Sequence, residues 1–268
     1  MVIDQKVIVV TGAGSGMGRE LTMQLVQKGA KVAMVDINEK GLSETADIVG
    51  SQNVSSHIVN IADRAAVELL PEAVIAHHGQ VDAIINNAGI IQPFINVSEL
   101  QYDVIERIMN INFYGTLYMT KSFLPHLLRR PTAHIANISS MGGFIPFPGQ
   151  TFYGASKAAV KLLTEGLYTE LMNTKVGVTI VHPGAINTNI MSNSGVQTKE
   201  EEAKQKAQAA ENQTTSAPKA ASIIIAAIEK NKYRVMVGKD AKMLDIFYRF
   251  APQKAVNFIT KQMGKMRK

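Results

Sequence analysis

The sequence predicts an α/β fold in which a doubly wound parallel sheet of about seven strands carries helices on both faces. Short β-branched apolar runs alternate with longer segments of helical periodicity, and this alternation requires crossover connections between parallel strands. A length of 268 residues with 46% hydrophobic residues suffices for one large domain of this kind. The predicted strands are Val7–Val10, Val32–Val35, His57–Val59, Ala83–Asn86, His134–Ile138, Val178–Val181 and Arg234–Val237. The predicted helices are Gly18–Lys28, Asp63–His78, Asn112–Arg129, Tyr153–Met172 and Pro218–Lys230.

Composition excludes several kinds of site. The chain has no cysteine, which rules out disulfides, thiolate metal ligands and cysteine nucleophiles. The histidines have no ligand-like spacing, so no metal site is expected. The first residues run directly into the apolar stretch Val7–Val10, and the longest apolar runs, such as Ile223–Ile228, are far shorter than the roughly 20 residues of a spanning helix. We therefore expect a cytoplasmic protein without a signal peptide or membrane span.

The first predicted strand runs into a glycine-rich turn, Thr11 to Gly18, that opens a helix. Glycines let the backbone turn tightly and approach a pyrophosphate, whose charge is stabilised by free amides and by the helix dipole. Glycine spacing alone also occurs in ordinary strand-to-helix turns, but the preceding strand and following helix favour a dinucleotide site. The expected contacts are Gly12, Ser15, Gly16, Met17 and Gly18.

The second predicted strand leads to Asp36, eighteen positions after Gly18. An acidic residue near this offset accepts hydrogen bonds from the adenosine ribose, which favours NAD, whereas the 2′-phosphate of NADP would meet like charge. Arg19 complicates this inference because an arginine near the ribose can bind that phosphate. The alternative role of Asp36 is to cap the turn before Asn38.

Two further strand ends carry small or amide-bearing residues beside the same sheet edge. Asn60 and Ile61 follow the third strand, and Asn87, Ala88 and Gly89 follow the fourth. An amide can donate and accept at the adenine edge, and a small Ala-Gly pair permits close approach to a ribose. We expect all five to contact the cofactor. Asp63, by contrast, is interpreted as a helix N-cap.

Tyr153 and Lys157 are four residues apart and share one face of a predicted helix. A free phenol has a pKa of about 10, too high for acid/base chemistry at neutral pH, and a neighbouring ammonium is expected to lower it. The pair is therefore a candidate proton-transfer group. Taken alone, the same spacing also occurs as an ordinary amphipathic pair.

From Lys6 to about Thr188, the chain resembles a single-domain short-chain dehydrogenase/reductase with a Rossmann-type fold. The resemblance rests on motifs in family order: Thr11-Gly12 to Gly16-Met17-Gly18, Asn87-Ala88-Gly89, Asn112, Ser140, Tyr153 with Lys157, and Pro183-Gly184. It implies that Tyr153 donates or accepts the proton, while Lys157 lowers its pKa and binds the nicotinamide ribose.

The resemblance also assigns the remaining candidate residues. Ser140 would hold the substrate oxygen because it lies thirteen residues before Tyr153, although the adjacent Ser139 stays open. Asn112 would support a water-linked proton path to Lys157, and its alternative is a helix-initial cap. The turn after the sixth strand would bind nicotinamide through Pro183, Gly184, Ile186 and Thr188. A homodimer or homotetramer is implied, and His182 is interpreted as a buried structural histidine.

Polar residues at about 189–215 differ in composition from the segments before them and are interpreted as a mobile substrate lid within a catalytic domain of residues 1–238. A solvated helical insertion is the alternative. The expected substrate-facing residues are largely apolar, which favours a lipophilic ligand. They are Ile91, Gln92, Pro93 and Phe94, and, within Gly142–Phe152, Phe144, Ile145, Phe147 and Phe152.

Residues 239–268 form a basic extension that carries eight basic and two acidic residues, equal to the net charge of +6 of the whole chain. Apolar residues at helical spacing on both sides of Pro252 predict two short amphipathic helices. These helices could pack on the same chain, form a subunit interface, or lie on an anionic membrane. Packing is favoured over membrane contact, the charge is interpreted as a solvated face, and no specific nucleic acid is expected.

The predicted activity is hydride transfer between NAD(H) and a secondary alcohol or ketone, with a lipophilic or steroid-like small molecule as substrate. Asp36 disfavours NADP. The alternative is a nucleotide-binding, redox-sensing or interaction module whose basic extension contacts membrane or nucleic acid. An intact set of Ser140, Tyr153 and Lys157 favours the enzyme.

Overall fold

Seven parallel strands form the central sheet of a computed structural model that describes residues 1–197 and 214–266, with side chains as far as Met263. The strands are β1 Val7–Thr11, β2 Lys31–Asp36, β3 Val54–Ile58, β4 Ala83–Asn86, β5 Ala133–Ile138, β6 Val176–Pro183 and β9 Arg234–Val237; β7 Ile186–Asn187 and β8 Thr215–Ser216 pair separately. The helices are α1 Gly16–Gln27, α2 Glu39–Val49, α3 Arg64–His78, α4 Tyr102–Met109, α5 Thr116–Leu127, α6 Thr151–Leu171, α7 Ile190–Asn193, α8 Ala217–Glu229, α9 Lys239–Phe250 and α10 Pro252–Met266.

The strand order is β3-β2-β1-β4-β5-β6-β9, so the direction of winding reverses between β1 and β4. This confirms the predicted doubly wound sheet. Ligands of such sheets bind outside the carboxyl ends of the strands at the reversal point. The third strand differs from expectation: it spans Val54–Ile58 rather than 57–59, because the polar residues of β3 at the sheet edge weaken its apolar pattern.

Apolar side chains of β1 alternate between two separate cores. Ile8 and Val10 pack with residues of α1, α2 and α8 on one face, whereas Val7 and Val9 pack with residues of α3, α5 and α6 on the other. Because side chains of successive strand residues point to opposite faces, a strand buried on both sides is apolar at every position. The two helix layers leave only the ends of the strands open to a ligand.

Among the described residues, two helices of eight or more residues were missing from the sequence prediction. The first, α2, is mostly polar and contains Gly41, so its helical signal is weak, although the Asn38 side chain caps it by accepting from the Gly41 amide. The second, α4, joins α5 through a π-helical turn at Asn110–Gly115. The wider turn interrupts the regular period, so only the second half of this long helical region is recognisable in the sequence.

The last two helices, α9 and α10, pack as a hairpin against the segment after β5. Leu244, Ala255 and Ile259 are buried with Ile145 in a third apolar cluster, and Phe144 and Phe147 pack against it. The structure thus shows the extension docked on its own chain. Within the described residues, no helix has the length and apolar character needed to span a bilayer.

Buried histidines give the fold a specific acid sensitivity. Burial lowers the pKa of His134 to about 3, and the ring lies 2.8 Å from the Thr179 hydroxyl across the sheet. Burial also lowers the pKa of His182 to about 4. The unfolded chain protonates histidine near pH 6.5, so the stability from neutral burial is complete above that pH and decreases as the pH falls towards 4.

We expect the free energy of unfolding to fall as the pH is lowered from 6.5 to 4. In His134→Gln, the slope of this free energy against pH should be smaller by about 1.4 kcal/mol per pH unit, the contribution of one proton. Glutamine keeps a polar partner for Thr179 but cannot be protonated in this range. Denaturant titrations at several pH values measure both slopes. An identical slope in the variant would contradict this assignment.

Candidate active site

A cleft of about 910 Å³ opens at the carboxyl ends of the strands, where the winding reverses. It brings together nearly all of the residues singled out in the sequence, although they come from widely separated positions. Those lining it are Gly12, Ser15, Gly16, Met17, Asp36, Asn60, Ile61, Asn87, Ala88, Gly89, Ser140, Tyr153, Lys157, Pro183, Gly184, Ile186 and Thr188.

The glycine-rich turn is tied to the end of β4. The Thr11 hydroxyl accepts from the amides of Asn87 and Ala88 at 2.9 Å, and the Asn87 side chain donates to the Thr11 carbonyl. Gly12 has φ of 69°, which favours glycine. Gly18 is not part of the cleft lining: a Cβ there would collide with the Gly12 carbonyl, so α1 packs closely against the turn at this residue, and its contact with the cofactor stays a prediction.

Asp36 caps the turn before Asn38 and also faces the cleft. Its carboxylate accepts from the Gly14 amide and from the Asn38 amide, each at 2.9 Å, and it also lines the cleft. Arg19 is directed elsewhere. Its guanidinium donates to the Gly14 carbonyl at 2.6 Å and pairs with Glu44 at 2.7 Å, while its Nε donates to Thr45. The arginine that could have bound a 2′-phosphate is therefore engaged within the protein.

The side chains of Tyr153 and Ser140 are neighbours in the cleft: a Cβ on Gly142 would lie 3.5 Å from the Ser140 hydroxyl oxygen and 3.5 Å from a ring carbon of Tyr153. The Ser140 hydroxyl accepts from the Gly142 amide at 3.0 Å, which orients it. The neighbouring Ser139 also lines the cleft, but its hydroxyl donates to the Lys157 carbonyl at 2.7 Å. The geometry thus separates the two serines: Ser140 meets the phenol, and Ser139 anchors the helix backbone.

Lys157 lies buried one helical turn after Tyr153, and its ammonium donates to the Ile138 carbonyl at 3.0 Å. Burial lowers the pKa of Lys157 to about 8. Burial raises the pKa of the Tyr153 phenol, and the nearby Ser140 hydroxyl acts in the opposite direction on that pKa. The expected net lowering of the Tyr153 pKa is therefore wrong for the protein alone, because desolvation of the phenolate is the larger effect.

Asn112 lies inside the π-helical turn and is completely buried, which excludes the predicted alternative of a helix-initial cap. Its side chain accepts from the Ile90 amide at 2.8 Å and donates to the Ile90 carbonyl and to the Ser156 hydroxyl. A Cβ on Gly89 would lie about as close to the Asn112 oxygen as to the Lys157 ammonium, at 3.1 and 3.0 Å. Asn112 thus supports the strand end beside Lys157 without lining the cleft.

Gln92 has a role that the sequence did not reveal. It was expected to face the substrate, but it is fully buried and its side-chain oxygen accepts from the amides of Phe152 and Tyr153, each at 2.9 Å. Its side-chain nitrogen donates to the Gly149 carbonyl, and its own carbonyl accepts from the Gln150 side chain. Gln92 therefore caps the helix that carries the phenol. Sequence reasoning had no signal for this contact because the partners are about 60 positions apart.

The turn after β6 is held by Asp240, a second residue missed in the sequence. Its carboxylate accepts from the Ala185 amide at 2.7 Å, so the start of α9 supports the predicted nicotinamide turn. After this turn, the Asn193 side chain donates to the Ser15 hydroxyl at 2.8 Å, across the glycine-rich turn. Most of the predicted lid, residues 198–213, lies outside the described residues.

The other side of the cleft is mainly apolar. Ile91, Phe94, Gly142 and Phe147 line it as predicted, together with Ile90, Met141, Ile190 and Met191, which were not predicted. Five predicted residues are absent from the lining: Gln92, Pro93, Phe144, Ile145 and Phe152. Phe144 and Ile145 pack towards the hairpin of α9 and α10 instead. In the described part of the chain, no group of three or more His, Cys, Asp or Glu side chains is arranged for a metal ion.

The family model of the short chain dehydrogenases matches residues 6–200, which include the cleft residues described above up to Thr188. This chain belongs to the short-chain dehydrogenase/reductase family. Membership establishes an oxidoreductase with a Rossmann-type fold, as the sequence motifs implied.

Relatives of this short-chain dehydrogenase/reductase span nearly its whole length. A Mycobacterium tuberculosis protein designated an oxidoreductase, SadH, is 40% identical over 250 residues, which cover 91% of this chain and 90% of that protein. A family member from Burkholderia phymatum, solved in complex with NAD, has a TM-score of 0.83 and 25% identity, with coverage of 93% and 96%. A short chain dehydrogenase from Burkholderia cenocepacia, in complex with NADP, has a TM-score of 0.81 and 26% identity, with coverage of 97% and 99%. The solved relatives thus bind either dinucleotide.

Proposed function

We propose that this short-chain dehydrogenase/reductase transfers hydride between NAD(H) and a secondary alcohol or ketone. The carrying observation is that Ser140, Tyr153 and Lys157 line one cleft at the strand ends, with the Lys157 ammonium held by the Ile138 carbonyl one helical turn after the phenol. The residues present suit a dinucleotide. Gly12 and Gly16 have φ of 69° and 51°, and because they carry no side chains, the backbone amides next to the start of α1 stay accessible to a phosphate. When bound, the nicotinamide supplies or accepts the hydride.

In the reducing direction, the proton and the hydride reach different atoms of the carbonyl. The Ser140 hydroxyl donates a hydrogen bond to the substrate oxygen, and the Tyr153 phenol transfers its proton to that oxygen as the carbonyl carbon receives hydride. Lys157 stabilises the resulting phenolate electrostatically, and only while it is protonated. Since burial lowers the pKa of Lys157 to about 8, contacts with cofactor hydroxyls would help to keep it charged. Oxidation reverses each transfer.

We expect Tyr153→Phe to reduce ketone turnover by about 10²- to 10⁴-fold, the usual contribution of a positioned acid, while the affinity for NADH stays unchanged. Ser139→Ala is the matched control for Ser140→Ala. Loss of the Ser139 bond to the Lys157 carbonyl should lower the free energy of unfolding by about 1 kcal/mol with little effect on kcat, whereas Ser140→Ala should lower kcat strongly.

The measurement is NADH oxidation with a panel of apolar and polar ketones, beside direct titration of NADH binding. Turnover that survives in Tyr153→Phe would refute the acid/base assignment. Tight cofactor binding by the wild type without turnover of any ketone or alcohol would favour a redox-sensing module instead. The complete set of Ser140, Tyr153 and Lys157 in one cleft supports the enzyme over that module.

For the cofactor, we propose NAD rather than NADP. The Asp36 carboxylate lines the cleft, and a 2′-phosphate beside it would meet like charge. Arg19 pairs with Glu44 and the Gly14 carbonyl, so compensation by that arginine would require breaking both contacts.

Asp36→Ser should shift the ratio of NADP to NAD affinity by at least about tenfold towards NADP, since it removes the repelling carboxylate. Asp47→Ser, an equal charge change on the exposed side of α2, is the control and should leave the ratio unchanged. Both affinities are measured by titration at constant ionic strength. Tighter binding of NADP than of NAD by the wild type would overturn the proposal.

The substrate we propose is a lipophilic, steroid-like alcohol or ketone. Support comes from apolar residues that line the same cleft as Tyr153, among them Ile91, Phe94, Met141, Phe147 and Met191. Burial of apolar surface contributes roughly 25 cal/mol per Å², so such a wall favours a large apolar ligand over a charged sugar.

Gln92 acts in this proposal as a positioning residue for Tyr153, because it caps the amides of Phe152 and Tyr153. We expect Gln92→Met to lower kcat about ten- to a hundredfold and to shift the pH profile of kcat, while the affinity for NADH is retained. Gln92→Glu keeps the oxygen that accepts from the two amides but loses the donor to the Gly149 carbonyl, so it should recover part of the rate.

Thr164→Val is the control for lost stability. Thr164 lies on the same helix, accepts from Asn137 and is equally buried, but it is remote from the phenol. Its substitution should lower the melting temperature without altering the pH profile. A melting-temperature loss in Gln92→Met with an unchanged pH profile and kcat would reduce Gln92 to a structural role.

A further inference from the structure

The outer face of α9 exposes large apolar side chains in a regular stripe. Met243, Ile246 and Phe250 follow i, i+3, i+7 spacing, and Phe250 is 87% exposed while the other two are about half-exposed at 52% and 50%. Phe258 of α10 is 39% exposed and packs against Phe247 with a ring separation of 5.9 Å, which joins the two helices at this surface.

Exposed cations border this apolar stripe. They are Lys239, Lys242 and Arg249 on α9, and Lys254 and Lys261 on α10. Within the described part of the chain, no carboxylate forms an ion pair with any of the four lysines. The same segment carries an excess of basic residues equal to the whole net charge of +6.

The two acidic residues of the hairpin are engaged elsewhere. Asp240 accepts from the Ala185 amide, and Asp245 pairs with Arg234 at 2.8 Å and with Arg249 at 3.2 Å. Asp245 is thus offset by two arginines and Asp240 is held at the Ala185 turn, and the five exposed cations outnumber these two carboxylates.

The hairpin does not need its outer face for docking. Its inner face is anchored by Leu244, Ala255 and Ile259, which pack on Ile145. The outer apolar residues therefore remain available on a supported surface. Exposed apolar groups of this size, surrounded by cations, are typical of helices that lie in the interface of an anionic bilayer.

We infer that the hairpin of α9 and α10 is a docking surface for anionic lipid bilayers. Charge decides between the possible occupants. In a two-fold dimer through this face, the cations of one copy would lie against the same cations of its partner, which is unfavourable. A nucleic acid would satisfy the cations but would leave Phe250 and Ile246 without apolar contacts. An anionic bilayer satisfies both, since headgroups meet the lysines and acyl chains receive the apolar side chains.

The docking surface lies close to the apolar wall of the cleft. The inner side of the hairpin contacts Phe144 and Phe147, and Phe147 lines the apolar wall of the cleft. A lipid-bound hairpin would thus hold the enzyme with its substrate wall one helix layer from the bilayer. This step rests on the proposed lipophilic substrate, whereas lipid binding itself does not.

The test is sedimentation of the full chain with two kinds of vesicle. One contains phosphatidylcholine with about 30% phosphatidylglycerol, an anionic lipid that creates a negative surface potential. The other contains phosphatidylcholine alone. We expect binding to the anionic vesicles only, weakened by 0.5 M salt, a concentration at which charges more than roughly 5 Å apart are screened. Ile246→Ser with Phe250→Ser should weaken binding by at least about tenfold. Lys242→Glu with Lys254→Glu should weaken it by at least about twentyfold.

Matched surface changes elsewhere are the controls. Leu69→Ser removes an apolar side chain that is 74% exposed on α3, and Lys121→Glu reverses an exposed charge on α5; neither should alter vesicle binding. Sedimentation velocity measures the oligomeric state of each variant. NADH oxidation without vesicles should be unchanged in the hairpin variants, so a failed activity assay and a failed lipid assay remain distinguishable.

Three results would overturn the inference. The first is equal binding of wild type and both hairpin variants to anionic vesicles, or no binding at all. The second is dissociation of an oligomer by Ile246→Ser with Phe250→Ser, which would assign the face to a second copy. The third is salt-sensitive binding of duplex DNA that exceeds vesicle binding and is lost only in the charge-reversal variant.

Discussion

Close packing of α1 against the ends of β1 and β4 is the constraint on which the rest of the structure depends. A side chain at Gly18 would collide with the Gly12 carbonyl, and Thr11 is hydrogen-bonded to the amides of Asn87 and Ala88. These contacts bring the reversal point of the sheet and the start of α1 to one place. The resulting groove exposes backbone amides where an anion is favoured, so the cofactor groove follows from backbone geometry rather than from charged side chains.

A second set of buried polar contacts orients the helix that carries Tyr153 and Lys157. Gln92 caps its first turn, the Ser139 hydroxyl donates to the Lys157 carbonyl, and the Asn112 side chain donates to the Ser156 hydroxyl. Each partner comes from the end of a different strand or from the π-helical turn. Hydrogen bonds in such a dry environment are stiff, because breaking one leaves an unpaired buried group. The phenol is thereby kept against Ser140 even though burial raises its pKa.

Local patterns predicted most of the sheet, because strands buried on both faces are almost continuously apolar. They failed where the local signal was weak: β3 at the sheet edge, α2 with its polar composition, and α4 before the π-helical turn. Among the site residues, Gly18 and Asn112 do not line the cleft. Their spacing identified them correctly as part of the motif, but only three-dimensional packing distinguishes a glycine or amide that supports a groove from one that faces it.

The sequence by itself determined the family, the doubly wound sheet and the set of residues at the strand ends, since glycine turns, strand periodicity and the spacing of Tyr153 and Lys157 are local properties. Tertiary structure alone decided which serine meets the phenol, that Arg19 is engaged by Glu44, and that Gln92 caps a helix about 60 positions away. It also decided which side of the last two helices packs inward and which remains exposed. The reason is physical: burial, desolvation and hydrogen-bond partners depend on segments distant in the chain, and no local pattern encodes them.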